Sequence, residues 1–178
     1  MLLLALFLMA APTQPTAVAP SPADTYPTAR GTAGVSFFLP GGGDPRIGGT
    51  YFFSNDLAAR VDFGLNVPIS PSGAGQNVLF SLSAGLRFYQ LKRNRVAVFL
   101  QPVVVLGREP SPAVAAEPAL YFRLGGGVGV EYFFTNHLSA GATLELTLKL
   151  ANLAGPAGTP GYTSLSTATS GLSANIYF

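Results

Sequence analysis

Cysteine is absent from this 178-residue chain, and charged residues are scarce. Without cysteine the chain has neither a disulfide framework nor a cysteine metal site, and its lone histidine makes no metal site either. Only 10% of the residues are charged, against roughly 25% in ordinary soluble domains. That is too little charge to coat a water-facing surface. The basic and acidic residues are dispersed and form no stripe, so we expect no nucleic-acid partner, and nothing in the sequence calls for a cofactor.

Long apolar runs are also missing. After residue 11 no run reaches the roughly 18 apolar residues that a transmembrane helix requires, although mean hydropathy is positive and 21 glycines are scattered along the chain. A closed β-barrel reconciles these properties, because it pairs every backbone group in lipid without a continuous apolar run. The length suits a single domain of eight spanning strands of about 9 to 11 residues each.

The N-terminus divides into two segments that precede the barrel. Residues 1–23 are predicted to be a signal peptide, because Met1 to Ala11 form an apolar stretch typical of a secretory signal, although no basic residue precedes it. Cleavage is expected between residues 10 and 23. Residues 24–30 complete a proline-rich, flexible segment, and residues 31–178 are expected to form the barrel.

Strands are indicated by an alternation of apolar and polar residues. In Leu138 to Leu150 the even positions are leucine or alanine, whereas the odd positions are serine, glycine, threonine, Glu145 and Lys149. Segment 96–107 is apolar on both faces apart from Gln101, so its orientation stays open. The eight predicted strands lie around Val35 to Leu39, Ile47 to Phe53, Leu57 to Asn66, 78–88, 96–107, 121–134, Leu138 to Leu150, and Ser164 to Phe178.

The alternation alone does not say which face points inward. A lipocalin-like soluble barrel would place its polar face on the surface, where the strands would offer too few charges for a soluble exterior. We therefore predict an all-β, eight-stranded, antiparallel, up-and-down transmembrane barrel with apolar residues outside and charged residues inside. An interior this narrow is filled by side chains, so the inward charges are expected to form an ion-pair network: Arg60, Asp62, Arg87, Arg123, Glu131, Glu145 and Lys149.

An internal repeat links two turns of the chain. Residues 51–59, Tyr-Phe-Phe-Ser-Asn-Asp-Leu-Ala-Ala, match residues 132–140, Tyr-Phe-Phe-Thr-Asn-His-Leu-Ser-Ala, and the spacing equals about four strands. With the basic turn at 92–95, these turns define one rim, which we expect to be periplasmic because the opposite connections are longer. An aromatic girdle is predicted at this rim: Tyr51, Phe53, Phe88, Tyr89, Tyr132, Phe134, Tyr177 and Phe178.

These turns and the final Asn175-Ile-Tyr-Phe178 resemble a known family, the eight-stranded barrels similar to the transmembrane domain of outer-membrane protein A and its small OmpX-like and OmpW-like relatives. The resemblance covers Gly31 to Phe178. It implies a monomer in the lipids of the bacterial outer membrane, with Ile176 and Phe178 read by the barrel-assembly machinery. Ser173 stands where the family's terminal pattern has glycine. No peptidoglycan-binding domain is expected, so a cell-wall anchoring role is not carried over.

Three functions remain open at the level of sequence. A non-enzymatic structural or interaction barrel with a filled lumen is the main hypothesis, because the loops are short and no catalytic site converges. A narrow pore, or a carrier for small molecules, is the alternative. A lipid A-modifying enzyme would need His137, Ser139 and Glu145 to act together, but His137 falls in a polar turn on the wrong rim.

The glycines at 125–129 lack the Lys-Ser/Thr ending of a phosphate-binding loop and are read as strand glycines that leave room in the lumen.

Overall fold

A computed structural model describes residues 27–41, 44–67, 78–109, 119–154 and 164–178, so the predicted signal peptide lies outside the described residues. The described chain forms eight strands, in agreement with the sequence prediction. Their bounds are β1 (Ala33–Pro40), β2 (Arg46–Ser54), β3 (Leu57–Asn66), β4 (Leu79–Arg93), β5 (Val96–Glu109), β6 (Ala119–Phe133), β7 (Leu138–Ala154) and β8 (Ser164–Tyr177).

The strands close into a barrel in simple sequence order. Each strand pairs antiparallel with the next, and β1 pairs antiparallel with β8, where Val35 lies opposite Ile176. This confirms the predicted all-β, up-and-down architecture. Within the described ranges, no helix is long and apolar enough to cross a membrane.

Apolar side chains cover the outside of the barrel. Along β3, Val61 and Phe63 are exposed whereas Arg60 and Asp62 are buried, which is the inside-out pattern expected of a barrel in lipid. The orientation of β5, which the sequence left open, is also resolved: Gln101 is buried with the other odd-numbered positions, and the even-numbered ones face outward.

One end of the barrel carries tight turns, and we call it the turn rim; the opposite end is the loop rim. The turn rim is formed by the connections at residues 55–56, 94–95 and 134–137. Asn94 and Arg95 both have positive φ, at 47° and 71°, which is the conformation of a two-residue type I′ hairpin. The connections at the loop rim include residues outside the described ranges.

The described part of the N-terminal segment touches the turn rim. The Thr28 side chain is buried, and its Oγ1 accepts a hydrogen bond of 3.0 Å from Lys92 Nζ. The backbone continues this attachment, because Gly31 N donates to Phe52 O at 2.8 Å. The chain therefore enters β1 along the mouth of the barrel.

Candidate functional site in the barrel lumen

A buried carboxylate organises the lumen near the turn rim. Glu131 on β6 is fully buried and accepts a hydrogen bond of 2.9 Å from Tyr89 Oη and one of 2.9 Å from Asn175 Nδ2. Ser139 Oγ and Tyr177 Oη also donate to it. Arg87 Nη1 lies 3.5 Å from Glu131 Oε2 and supplies the opposite charge. We call this group, which joins β4, β6, β7 and β8, the Glu131 cluster.

Aromatic rings close the lumen beside this cluster. The rings of Phe99, Tyr89, Phe52, Tyr177 and Phe133 form an aromatic layer in which each contacts the next, with centroids 5.5, 5.5, 5.9 and 6.1 Å apart. These residues lie on β5, β4, β2, β8 and β6, so the contacts run across the interior and not only along the wall. All five side chains are almost completely buried. At this level the barrel holds side chains where a channel would hold water.

Glycines on the inward face make room for these large side chains. A Cβ built at Gly129 would collide with the Phe99 ring, and one at Gly171 would collide with the Phe38 ring. A Cβ at Gly125 or Gly127 would lie 2.6 or 2.7 Å from a backbone carbonyl oxygen of β7. The Gly-rich stretch of β6 therefore serves lumen packing, as the sequence indicated, because only residues without a side chain fit beneath the neighbouring groups.

A second ion pair lies deeper in the lumen. Arg60 Nε donates to both carboxylate oxygens of Asp62, at 2.9 and 2.8 Å, and both side chains are buried. Ser36 Oγ and Ser83 Oγ also donate to Asp62, at 3.2 and 3.4 Å. The Arg60 guanidinium stacks over the Phe38 ring at 5.0 Å. Asp62 thus connects β1, β3 and β4 through side-chain hydrogen bonds. Glu131 does the same for β4, β6, β7 and β8.

The remaining predicted lumen charges occupy separate places. Arg123 and Lys149 are register partners on β6 and β7, and both lie over the Tyr121 ring, at 4.4 and 5.8 Å. Glu145 lines a small cavity beneath them, which it shares with Arg60 and Arg87. All seven predicted charges occupy inward positions of their strands, and among them Arg60 pairs with Asp62 and Arg87 with Glu131.

The trio considered for catalysis is not assembled. The Ser139 hydroxyl donates to Glu131 and accepts from Asn175 Nδ2 at 2.9 Å. His137 lies in the exposed turn, where its Nδ1 is 2.9 Å from the Tyr177 carbonyl oxygen. Glu145 lies several residues further along β7, in the cavity. The hydroxyl that an enzyme would need as nucleophile is therefore held by a structural carboxylate.

The fold is shared with solved structures, although no protein-family model and no curated protein matches the sequence. The N-terminal β-barrel domain of Pseudomonas aeruginosa OprF superposes with a TM-score of 0.56 at 16% identity, covering 84% of this chain and 98% of that domain. The fold is that of a small outer-membrane barrel.

Two further solved structures are similar at lower scores. Neisserial surface protein A has a TM-score of 0.45 and 19% identity, covering 82% of this chain and 92% of that one. The attachment invasion locus protein Ail of Yersinia pestis has a TM-score of 0.43 and 15% identity, covering 84% of this chain and 99% of that one.

Five of the aromatic residues predicted for the girdle lie on the outer face, whereas two others need correction. Tyr51, Phe53, Phe88, Tyr132 and Phe134 are exposed near the turn rim. The two repeats match in detail, since Tyr51 meets Phe53 and Tyr132 meets Phe134 in edge-to-face pairs with centroids 5.2 and 5.1 Å apart.

Tyr177 and Tyr89 were wrongly placed in the girdle. Tyr177 is 1% exposed and Tyr89 is 4% exposed, and both rings point into the lumen. The reason is the period of two: Ile176 and Phe178 face outward, so Tyr177 between them faces inward. Both hydroxyls find a partner in Glu131, as buried tyrosines usually require. The alternation in the sequence indicates that Tyr177 points inward. The concentration of aromatic residues near the rim had instead suggested a place in the girdle.

The C-terminal residues lie where the predicted assembly signal requires them. Ile176 and Phe178 are exposed on the outer face, and Phe178 N and O bond to Ala33 O and N across the closing β1–β8 seam. Phe178 is 72% exposed, so its ring contributes little to packing. Its role as a signal to the barrel-assembly machinery stays a prediction.

Proposed function

We propose that this protein is a non-enzymatic, monomeric barrel of the bacterial outer membrane whose lumen is closed by its own side chains and whose role is structural or interactive. The observation that carries the proposal is the continuous crossing of the lumen by the aromatic layer and the Glu131 cluster. A conducting pathway would have to displace several fully buried side chains that are bonded to one another.

The outer surface supports the proposed location in lipid. Exposed Leu, Val, Ile and Phe side chains cover the strands, and the aromatic girdle lies at the turn rim. Aromatic side chains of this kind concentrate where a membrane meets water. Outer-membrane lipids are thus the partners of the outer face, with the turn rim in the periplasm and the loop rim outside the cell.

The terminal strand supports a second partner, the barrel-assembly machinery. Ile176 and Phe178 present an apolar pair on the outer face at the end of β8. This strand closes the barrel against β1, so it is available for recognition only before closure is complete. A receptor that reads the pair would therefore act on the unclosed chain.

Conductance in a planar lipid bilayer tests whether the lumen is closed. Purified, refolded protein is expected to give no steady open level. The variant Tyr89→Ala with Tyr177→Ala removes two rings of the aromatic layer and is expected to conduct, because no other described ring bridges their neighbours.

Tyr132→Ala is the matched control, since it removes an exposed girdle ring and leaves the lumen unchanged; it is expected to stay closed. Heat-dependent migration on SDS gels shows that each variant is folded, because a barrel of this type resists SDS until it is boiled. A steady open level in the unmodified protein would contradict the proposal and favour the narrow pore.

A further inference from the structure

A β-bulge exchanges the two faces of β4 shortly before this strand ends at the turn rim. The register of β4 with β5 shifts between Tyr89 and Leu91. Regular alternation would turn Lys92 outward and Arg93 inward. Instead, Lys92 lies opposite the fully buried Ala97, and Arg93 takes the outer face. A bulge thus re-aims a positive charge away from the lumen, which is a common effect of this irregularity.

The outward Arg93 stands within the aromatic girdle. Its register partner is Val96, which in turn lies opposite the exposed Tyr132. Since neighbouring strands are about 4.8 Å apart, these three side chains form a short row on the outer face. Leu91, the next outward residue toward the middle of the barrel, is 57% exposed. The arginine is therefore held at the level where aromatic side chains mark the boundary between lipid and water.

The described residues do not neutralise the charge of Arg93. Asp56 is the only acidic side chain among the described residues of the turn rim, and it pairs with Lys92 Nζ at 2.9 Å. The terminal carboxylate belongs to Phe178, at the β1–β8 seam on another part of the ring. Arg93 itself forms no ion pair with a described residue, and the exposed Arg95 adds to the positive potential beside it.

We propose that the outer face at Arg93 binds the phosphate of an anionic phospholipid in the leaflet around the turn rim. This inference rests on the membrane location given under the proposed function. A guanidinium offers paired N–H donors that match phosphate oxygens, while the acyl chains lie along the outward-facing Leu91 and Val98. An anionic head group is preferred to phosphatidylcholine because it adds no cationic group beside two arginines. Each basic residue at an anionic membrane surface favours such lipids by about fivefold.

Fluorescence quenching tests the proposal, because the chain contains no tryptophan. Tyr132→Trp places a single reporter in the row that contains Arg93. Tyr51→Trp places one at the matching position of the other Tyr-Phe-Phe repeat, across the closed ring. Each protein is refolded into vesicles of phosphatidylcholine with a minor fraction of phosphatidylglycerol, and brominated acyl chains are carried by one lipid at a time.

Phosphatidylglycerol is expected to be enriched severalfold over its bulk fraction beside the Tyr132→Trp reporter, and to match the bulk beside the Tyr51→Trp reporter. Equal values at the two reporters would overturn the lipid site and leave the basic turn to solvent or to an acidic protein. Brominated phosphatidylcholine alone should quench both reporters. Failure of that quenching would contradict the location in lipid, so the two proposals fail by different results.

Two arginine variants of the Tyr132→Trp protein assign the preference to the proposed site. Arg93→Gln is expected to return the phosphatidylglycerol fraction close to its bulk value. Arg30→Gln is the matched control, since it removes an exposed arginine of the N-terminal segment and leaves the β4–β5 turn intact. Heat-dependent gel migration shows that each variant is folded. Full enrichment in Arg93→Gln, or an equal loss in Arg30→Gln, would contradict a site at Arg93.

Discussion

Glu131 shows how one residue can join strands that are not neighbours in the sheet. Its carboxylate receives donors from β4, β7 and β8, whereas backbone pairing connects β6 only to β5 and β7. A carboxylate accepts several donors at once, which suits a position where the lumen narrows. The residue thus adds polar contacts across the lumen to those of the aromatic layer beside it.

Replacement of Glu131 by alanine is expected to destabilise the folded barrel by about 3 to 5 kcal/mol, because Arg87 would remain buried without its counter-charge. Urea unfolding in lipid vesicles, followed by gel migration, measures this. Glu145→Ala is the matched control on the inward face, and it should cost clearly less, because Glu145 forms none of the salt bridges between described residues. Equal losses in the two variants would argue against the central role of Glu131.

At this scale the sequence predicted which residues point inward but not which residues meet. Arg60, Asp62 and Glu131 follow from alternation within a strand. The bonds from Tyr89 and Tyr177 to Glu131 cross the lumen over more than 40 residues of chain. Such contacts depend on strand tilt and register, which the alternation of residues within one strand does not reveal.

Among the strands, β6 depends most clearly on its neighbour. Phe99 of β5 occupies the space above Gly129, and backbone oxygens of β7 lie close to Gly125 and Gly127. Placing an aromatic ring over a glycine of the next strand covers its backbone and fixes the register. The apolar character of β5 on both faces hid this relation, because Val, Leu and Phe suit either lipid or an aromatic layer.

Gly129→Ala is expected to destabilise the barrel by about 1 to 3 kcal/mol through overpacking against Phe99. Phe99→Leu should recover part of that loss when the two are combined, and a double-mutant cycle measures the coupling. Gly126→Ala, on the outward face of the same strand, has no atom closer than 3.9 Å to the added Cβ and should be neutral or slightly stabilising. A loss in Gly126→Ala as large as that in Gly129→Ala would show that strand propensity, and not the ring, is responsible.

The architecture of the whole molecule follows from a few sequence signals. The number of strands, the closed topology and the inside-out polarity were predicted, because period-two alternation and turn spacing determine them. The filling of the lumen in its particulars, including the polar cavity, was not predictable. It results from eight inward faces meeting in one space, where size and charge are shared between distant parts of the chain.

Phe178→Ala is expected to lower the amount of folded protein in the outer membrane of cells severalfold, because the assembly signal is lost. In refolding from urea its stability should match that of Phe134→Ala, since both rings are exposed on the outer face. Phe134→Ala should assemble normally in cells. Normal assembly of the Phe178→Ala protein would contradict the signal, and a matching refolding defect would show that the ring is structural.

The repeated Tyr-Phe-Phe hairpins have a mechanical consequence. The β2–β3 and β6–β7 turns are separated by two strands on either side of the closed ring, so the edge-to-face pairs Tyr51–Phe53 and Tyr132–Phe134 stand on opposite sides of the barrel. Aromatic pairs on opposite sides of the barrel oppose tilting in either direction. Pairs on one side alone would allow the barrel to tilt about them. For a barrel in a membrane, we expect this arrangement to limit tilting at the turn rim.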